Sequence, residues 1–197
     1  MDTERNTIEA VLELGVRLAD RADAITMQGF YEAFDVYTKE DGSPVTSVDR
    51  EVEAALRDLI AWEHRSAGVL GEEYGSIPGE GRWVLDPIDG TQHFFDGDPR
   101  FATLAAYETE DGPIVGVVSA PALGLRWWAG RGIGAFFARD GAVAAARVSI
   151  TSDLSGSRGL LPTTIAGEAP SLPPGALDFV GRLSTSGASL HAYTSAW

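Results

Sequence analysis

The residues best suited to chemistry lie in Trp83-Val84-Leu85-Asp86-Pro87-Ile88-Asp89-Gly90-Thr91. An apolar run delivers Asp86, Pro87 is expected to turn the chain, and Asp89 follows with Gly90 and Thr91 behind it. Carboxylates are hard oxygen donors, and two of them on one rigid turn suit Mg2+, which is held by one or two carboxylates and keeps several waters. Gly90 permits close backbone approach, and the N–H groups from Gly90 and Thr91 onward could open a helix and receive an anion such as phosphate. The same letters also read as an Asp-Pro turn followed by an Asp-Gly turn, which is ordinary loop chemistry.

Two further segments place acids at the ends of regular elements. Gly71-Glu72-Glu73-Tyr74-Gly75 follows a short apolar run, and its adjacent like charges repel unless water or a cation neutralises them. Thr46-Ser47-Val48-Asp49 has the spacing of a capping box, in which Asp49 either only closes the helix end or also points its carboxylate at water or metal. Neither a Gly-x-x-x-x-Gly-Lys loop nor a His-Glu-x-x-His helix is present. His64, His93 and His191 are dispersed, and each is expected at the surface or behind the site rather than as a ligand. If phosphate is handled here, metal ions must neutralise its charge, as a multi-metal clamp on an in-line displacement by water.

Composition agrees with that limit. The 197 residues carry 29 Asp plus Glu against 15 Lys plus Arg, a formal net charge of −14, which suits the gathering of cations and opposes a nucleic-acid or anionic-membrane surface. The absence of cysteine excludes disulfides, thiolate zinc sites and thiol nucleophiles. No apolar run is long enough to span a membrane, and Met1-Asp2-Thr3-Glu4 lacks the basic start of a signal peptide, so a cytoplasmic protein is expected.

The elements that must hold these acids follow from periodicity. Ile8, Val11, Leu12, Gly15, Leu18, Ala19, Ala22 and Ile25 predict an amphipathic helix over about 5–27. After a turn at Lys39–Pro44, Val48, Val52, Ala55, Leu56, Leu59 and Ile60 predict a second over about 48–62. Short buried strands are predicted at 69–71 and 82–85, with a Gly/Pro/Glu loop between them. Strands of an antiparallel sheet are predicted at 101–107, 113–119, 125–129, 134–138 and 146–150. Helices followed by a meander imply an α+β layering of helices on a sheet. Residues 1–150 are read as the domain that carries the acids. Residues 151–197, broken by Pro162, Pro170, Pro173 and Pro174, are read as the start of an incomplete region ending in a possible helix from Leu190.

Lys39-Glu40-Asp41-Gly42-Ser43-Pro44-Val45-Thr46-Ser47-Val48-Asp49, then Gly71-Glu72-Glu73, then Asp86 through Thr91, together resemble the ordered signature of the inositol monophosphatase family. Within it, Val118 through Gly124, Arg126-Trp127-Trp128 and Gly134-Ala135-Phe136 resemble the actinobacterial histidinol-phosphatase branch. Trp127 and Trp128 also read simply as a strand that packs one indole inward. The resemblance implies a layered α/β/α sugar-phosphatase fold, Mg2+ as cofactor, inhibition by lithium, a small phosphate monoester as substrate and a possible homodimer. It implies that Glu72, Asp86, Asp89 and the Ile88 carbonyl ligate the metal. Asp49 and Thr91 would activate water with Glu72 beside them, and Gly90, Thr91 and Asp89 would meet the phosphate.

Two departures accompany the resemblance. The family's Trp-Asp-x-Ala-Ala motif, whose Asp is a further metal ligand, has no counterpart in this sequence. A truncated member is therefore expected, with one metal position weakened. His93 stands where the family usually has Asn, so His93 and Asp96 mark a changed substrate rim. Two other readings remain: a remnant that binds metal or a partner without turnover, and a phospho-aspartate phosphatase. The latter spaces its nucleophile and acid two residues apart, whereas Asp86 and Asp89 are three apart.

Overall fold

Ile8, Leu12, Leu18, Ala19, Ala22 and Ile25 line one buried stripe, and they hold helix α1 (Asp2–Tyr31) against the sheet below it. The helix runs one turn past its predicted end because Phe30 continues the apolar face, packing 5.6 Å from Phe94 and 5.1 Å from Phe101 between ring centroids. Residues 2–38 and 44–140 are described in this computed structural model, along with the backbone of 158–163 and 189–194. Chain contacts divide it into two units, Met1–Ser149 and Ile150–Trp197.

In the first unit, β1 (Val36–Thr38) and β2 (Pro44–Thr46) pair antiparallel and lead into α2 (Ser47–Glu63). The predicted turn between those strands falls on residues 39–43, outside the described residues. Seven strands follow in one sheet: β3 (Gly68–Gly71), β4 (Gly75–Ile77), β5 (Arg82–Asp89), β6 (Ala102–Thr109), β7 (Gly112–Ala120), β8 (Leu125–Gly130) and β9 (Gly134–Arg139). Their order is β4-β3-β5-β6-β7-β8-β9. From β5 to β9 every pair is antiparallel, as expected of a meander. Between β3 and β5 the pairing is parallel, made possible by the outer strand β4, which occupies part of the predicted loop. The predicted strand at 146–150 lies outside the described residues.

One sheet face is dry because Thr103, Ala105 and Tyr107 on β6 alternate with less buried neighbours, as do Val115, Val117 and Ser119 on β7. Both helices cover that face, and Trp83 of β5 is fully buried there. Removing such a side chain from a packed core typically costs about 3–5 kcal/mol. Its indole N–H donates to His64 Nδ1 at 3.2 Å, so His64 at the end of α2 completes the core edge. Arg126 on β8 bonds Asp20 Oδ1 at 2.5 Å and Asp23 Oδ2 at 2.6 Å, tying α1 to the far strands. Trp128 packs toward the core beside Phe136 while Trp127 faces outward beside Phe137, so the tryptophan pair is accounted for by ordinary alternation along a strand.

In the second unit, β10 (Arg158–Thr163) pairs in parallel with β11 (Ser189–Thr194). The helix expected from Leu190 is therefore a strand. Leu190, Ala192 and Thr194 alternate with His191 and Tyr193, and a period of two with β-branched and aromatic residues favours the extended chain. Among the described residues no helix is long and apolar enough to cross a membrane.

Candidate active site

Three elements converge on the acids. Helix α2 opens with the predicted capping box: Asp49 N–H donates to Thr46 Oγ1 at 3.3 Å, and Thr46 N–H donates to Asp49 Oδ2 at 2.8 Å. The box leaves Asp49 Oδ1 for a longer reach, and Thr91 Oγ1 lies 3.3 Å from it. Asp49 is 2% exposed, and burial pushes its carboxyl above the usual range against the pull of the bonds from Thr46 and Thr91. The capping reading of Asp49 thus holds for one oxygen, and the other oxygen accepts from Thr91.

Pro87 does not turn the chain. Strand β5 continues through it to Asp89, and the change of direction comes at Gly90, which has φ 83 and caps the short helix α3 (Thr91–Phe95). Pro87 is tolerated because β3 ends opposite Leu85, so its missing N–H has no β3 partner to lose. On the other side Asp86 pairs with Leu104 and Asp89 with Ala102, so three residues of β5 advance against two of β6. That bulge matters chemically. In a regular strand, residues three apart face opposite sides; the extra residue restores Asp89 to the side of Asp86. The Thr103 hydroxyl bonds the Pro87 carbonyl at 2.8 Å and pins the bulge.

Electrostatics report the result. Burial, then the charges of Glu72, Asp89 and Asp49, with a hydrogen bond to Glu72, push the Asp86 carboxyl up to about 8. The more exposed Asp89 is also raised, by partial desolvation first and Glu72 second, with His93 opposing. Asp86 Oδ1 is buried without a hydrogen-bond partner. The Ile88 carbonyl accepts from Thr91 Oγ1 at 3.0 Å and retains a second lone pair. An orphaned carboxylate oxygen among crowded acids, with a carbonyl lone pair beside it, is a set of hard oxygen donors that fits Mg2+. Among the described residues no three acidic or imidazole side chains already stand in ligating positions around one point, so the approach is pairwise.

His93 Nδ1 lies 3.4 Å from Asp98 Oδ2, and Arg100 holds Asp98, whose carboxyl sits well below the usual range. Asp96 is exposed at the end of α3, where it accepts from Gln92 Nε2 at 3.0 Å. His191 lies on β11, of whose side chains nothing is described.

Sequence reasoning missed Glu53. It lies one turn beyond Asp49 on α2, fully buried, and accepts the N–H groups of Glu73 at 2.7 Å and Tyr74 at 3.1 Å. Its signal was positional: Asp49, Glu53, Leu56 and Ile60 form one buried line, and an acid on that line needs a partner.

The profile of the inositol monophosphatase family matches residues 7–183. The chain belongs to that family. It is 50% identical over 135 residues to a histidinol-phosphatase of Mycobacterium tuberculosis, covering 66% of this chain and 52% of that protein. A histidinol-phosphatase of Streptomyces coelicolor is 47% identical over 137 residues, covering 66% of this chain and 51% of the other. The chain thus spans about half the length of these relatives. Among solved structures, the extragenic suppressor protein suhB of Bartonella henselae superposes with a TM-score of 0.70 at 25% identity, over 93% of this chain and 70% of that one. The fold is that of inositol monophosphatases, as the resemblance implied.

Proposed function

We propose that this protein is a Mg2+-dependent phosphomonoesterase that hydrolyses a small polar phosphate by attack of water. L-histidinol phosphate is the first candidate substrate and inositol monophosphate the second. The observation that carries the reading is the pairwise approach of Glu72, Asp86 and Asp89 beside the Asp49–Thr91 pair. Similarity to two proteins named histidinol-phosphatase supports the order of substrates.

Glu72, Asp86, Asp89 and the Ile88 carbonyl would hold the metal. When bound, Mg2+ supplies the positive charge that neutralises phosphoryl oxygens and makes water a better nucleophile. The chain's own part is to orient and deprotonate that water. Thr91 Oγ1 donates its proton toward Asp49 Oδ1, which leaves a lone pair on the hydroxyl to accept a proton from water. The raised basicity of buried Asp49 favours the transfer. N–H groups at Gly90 and Thr91 face the phosphate in this reading. A cytoplasmic homodimer is part of the same proposal.

Phosphate release from L-histidinol phosphate and inositol 1-phosphate, with and without Mg2+, tests it. Turnover that requires Mg2+ and vanishes in Asp89→Asn is expected; no turnover on either substrate from folded protein counts against it. A second reading is metal binding without turnover. Mg2+ binding with no phosphate release would select it.

A further inference from the structure

Glu53 is a carboxylate inside the core, with no side-chain surface exposed to water, so its desolvation must be offset by bonds. Three donors provide them: Arg57 Nε at 2.8 Å, Glu73 N–H at 2.7 Å and Tyr74 N–H at 3.1 Å. Arg57 continues the grip, since its Nη2 donates to the Gly75 carbonyl at 2.5 Å and its guanidinium lies 6.0 Å from the Tyr74 ring centroid. Gly71 closes the other side: a Cβ there would fall 2.0 Å from Glu53 Oε1. The backbone is thus fixed immediately before and immediately after Glu72. Buried ion pairs seldom stabilise more than apolar side chains of similar volume, and the neighbouring stripe of Leu56 and Ile60 shows that an apolar residue suits this line.

We propose that Glu53 is the positioning residue of Glu72. By clamping the β3–β4 turn to the helix that carries Asp49, it sets where the Glu72 carboxylate meets Asp86 and so governs the cation affinity of the site. The inference rests on the proposed function only in taking Glu72 and Asp86 as a cation-holding pair.

The test is Mg2+ titration by calorimetry of the whole chain and of Glu53→Gln, Glu72→Ala and the double variant, each checked for cooperative unfolding. Loss of a partner that orients a ligand typically weakens metal binding about 10–100-fold, and about tenfold is expected for Glu53→Gln. Because Glu53 acts through Glu72, it should cost less than about twofold more in the Glu72→Ala background. Faster amide exchange at Glu73 and Tyr74 in Glu53→Gln should accompany the loss. If Glu53→Gln does not fold, Arg57→Gln takes its place, with a weakening of about threefold expected by the same orienting effect. Wild-type affinity in a folded variant, or equal losses in both backgrounds, overturns the inference and leaves the phosphatase reading standing. No Mg2+ binding by the unaltered chain overturns both, which separates the two failures.

Discussion

Thr91 Oγ1 lies 3.3 Å from Asp49 Oδ1, joining two side chains 42 residues apart across the start of α2 and the start of α3. The same hydroxyl lies 3.0 Å from the Ile88 carbonyl, so it has two acceptors and one proton. Thr91→Ala should leave the fold intact and lower the rate constant for phosphate release by about 100-fold or more, the usual weight of a positioned proton-transfer group. Thr91→Ser should retain most of the rate. Steady-state kinetics on L-histidinol phosphate measure both.

Thr46 has only a structural part, through the capping box. Thr46→Ala should cost about 1–2 kcal/mol in urea unfolding, as loss of a helix cap does. It should also slow phosphate release, because the Thr46 hydroxyl donates to Asp49 Oδ2 and helps hold that carboxylate in place. An unchanged unfolding midpoint would contradict the capping role.

Asp86 sacrifices stability for the site. Its carboxyl is raised to about 8 by burial and by Glu72, Asp89 and Asp49. A carboxyl raised on folding contributes stability that is complete below its ordinary value near 4 and is lost as pH rises through about 8. Asp86→Asn removes that penalty. In metal-free buffer at pH 9 the variant should melt about 2 °C or more above the wild type, with a smaller gap at pH 5. It should also lose Mg2+ activation. Equal melting temperatures at pH 9 would refute the crowding.

His64 gives a pH dependence of the opposite sense. Burial lowers its pKa below 6.5, and its neutral Nδ1 accepts the Trp83 indole proton. A group depressed on folding contributes stability present above its ordinary value and lost as pH falls through the folded one. The His64 contribution to the urea midpoint should therefore fall from pH 7.5 to pH 5.5, against the gain from Asp86 over the same range. His64→Gln, which keeps an acceptor but does not titrate, should flatten that change. Parallel curves for the two proteins would remove His64 as the cause.

Gly71→Ala should destabilise by about 1–3 kcal/mol, the range for overpacking a filled site, since the added Cβ meets a carboxylate held by three donors. Thermal unfolding reads the loss directly.

What the sequence determined by itself was local. Apolar spacing located α1 and α2, the Thr46–Asp49 pair announced its cap, and alternation with turn residues placed the strands β6 to β9. The three acidic segments and their order were legible because each couples a regular element to an unusual run of acids. The tertiary structure decided what depends on pairing between distant strands. Pro87 looked like a turn because a proline interrupts a ladder, yet β3 ends before it and a bulge against β6 absorbs it. The same bulge gives Asp86 and Asp89 a common side, which their spacing of three would deny in a regular strand. Leu190 looked like a helix start until a parallel partner at Arg158–Thr163 made the extended chain the better paired state. Glu53 was illegible for the same reason: on its own helix it is one more acid, and only the approach of the β3–β4 turn brings it the N–H groups of Glu73 and Tyr74.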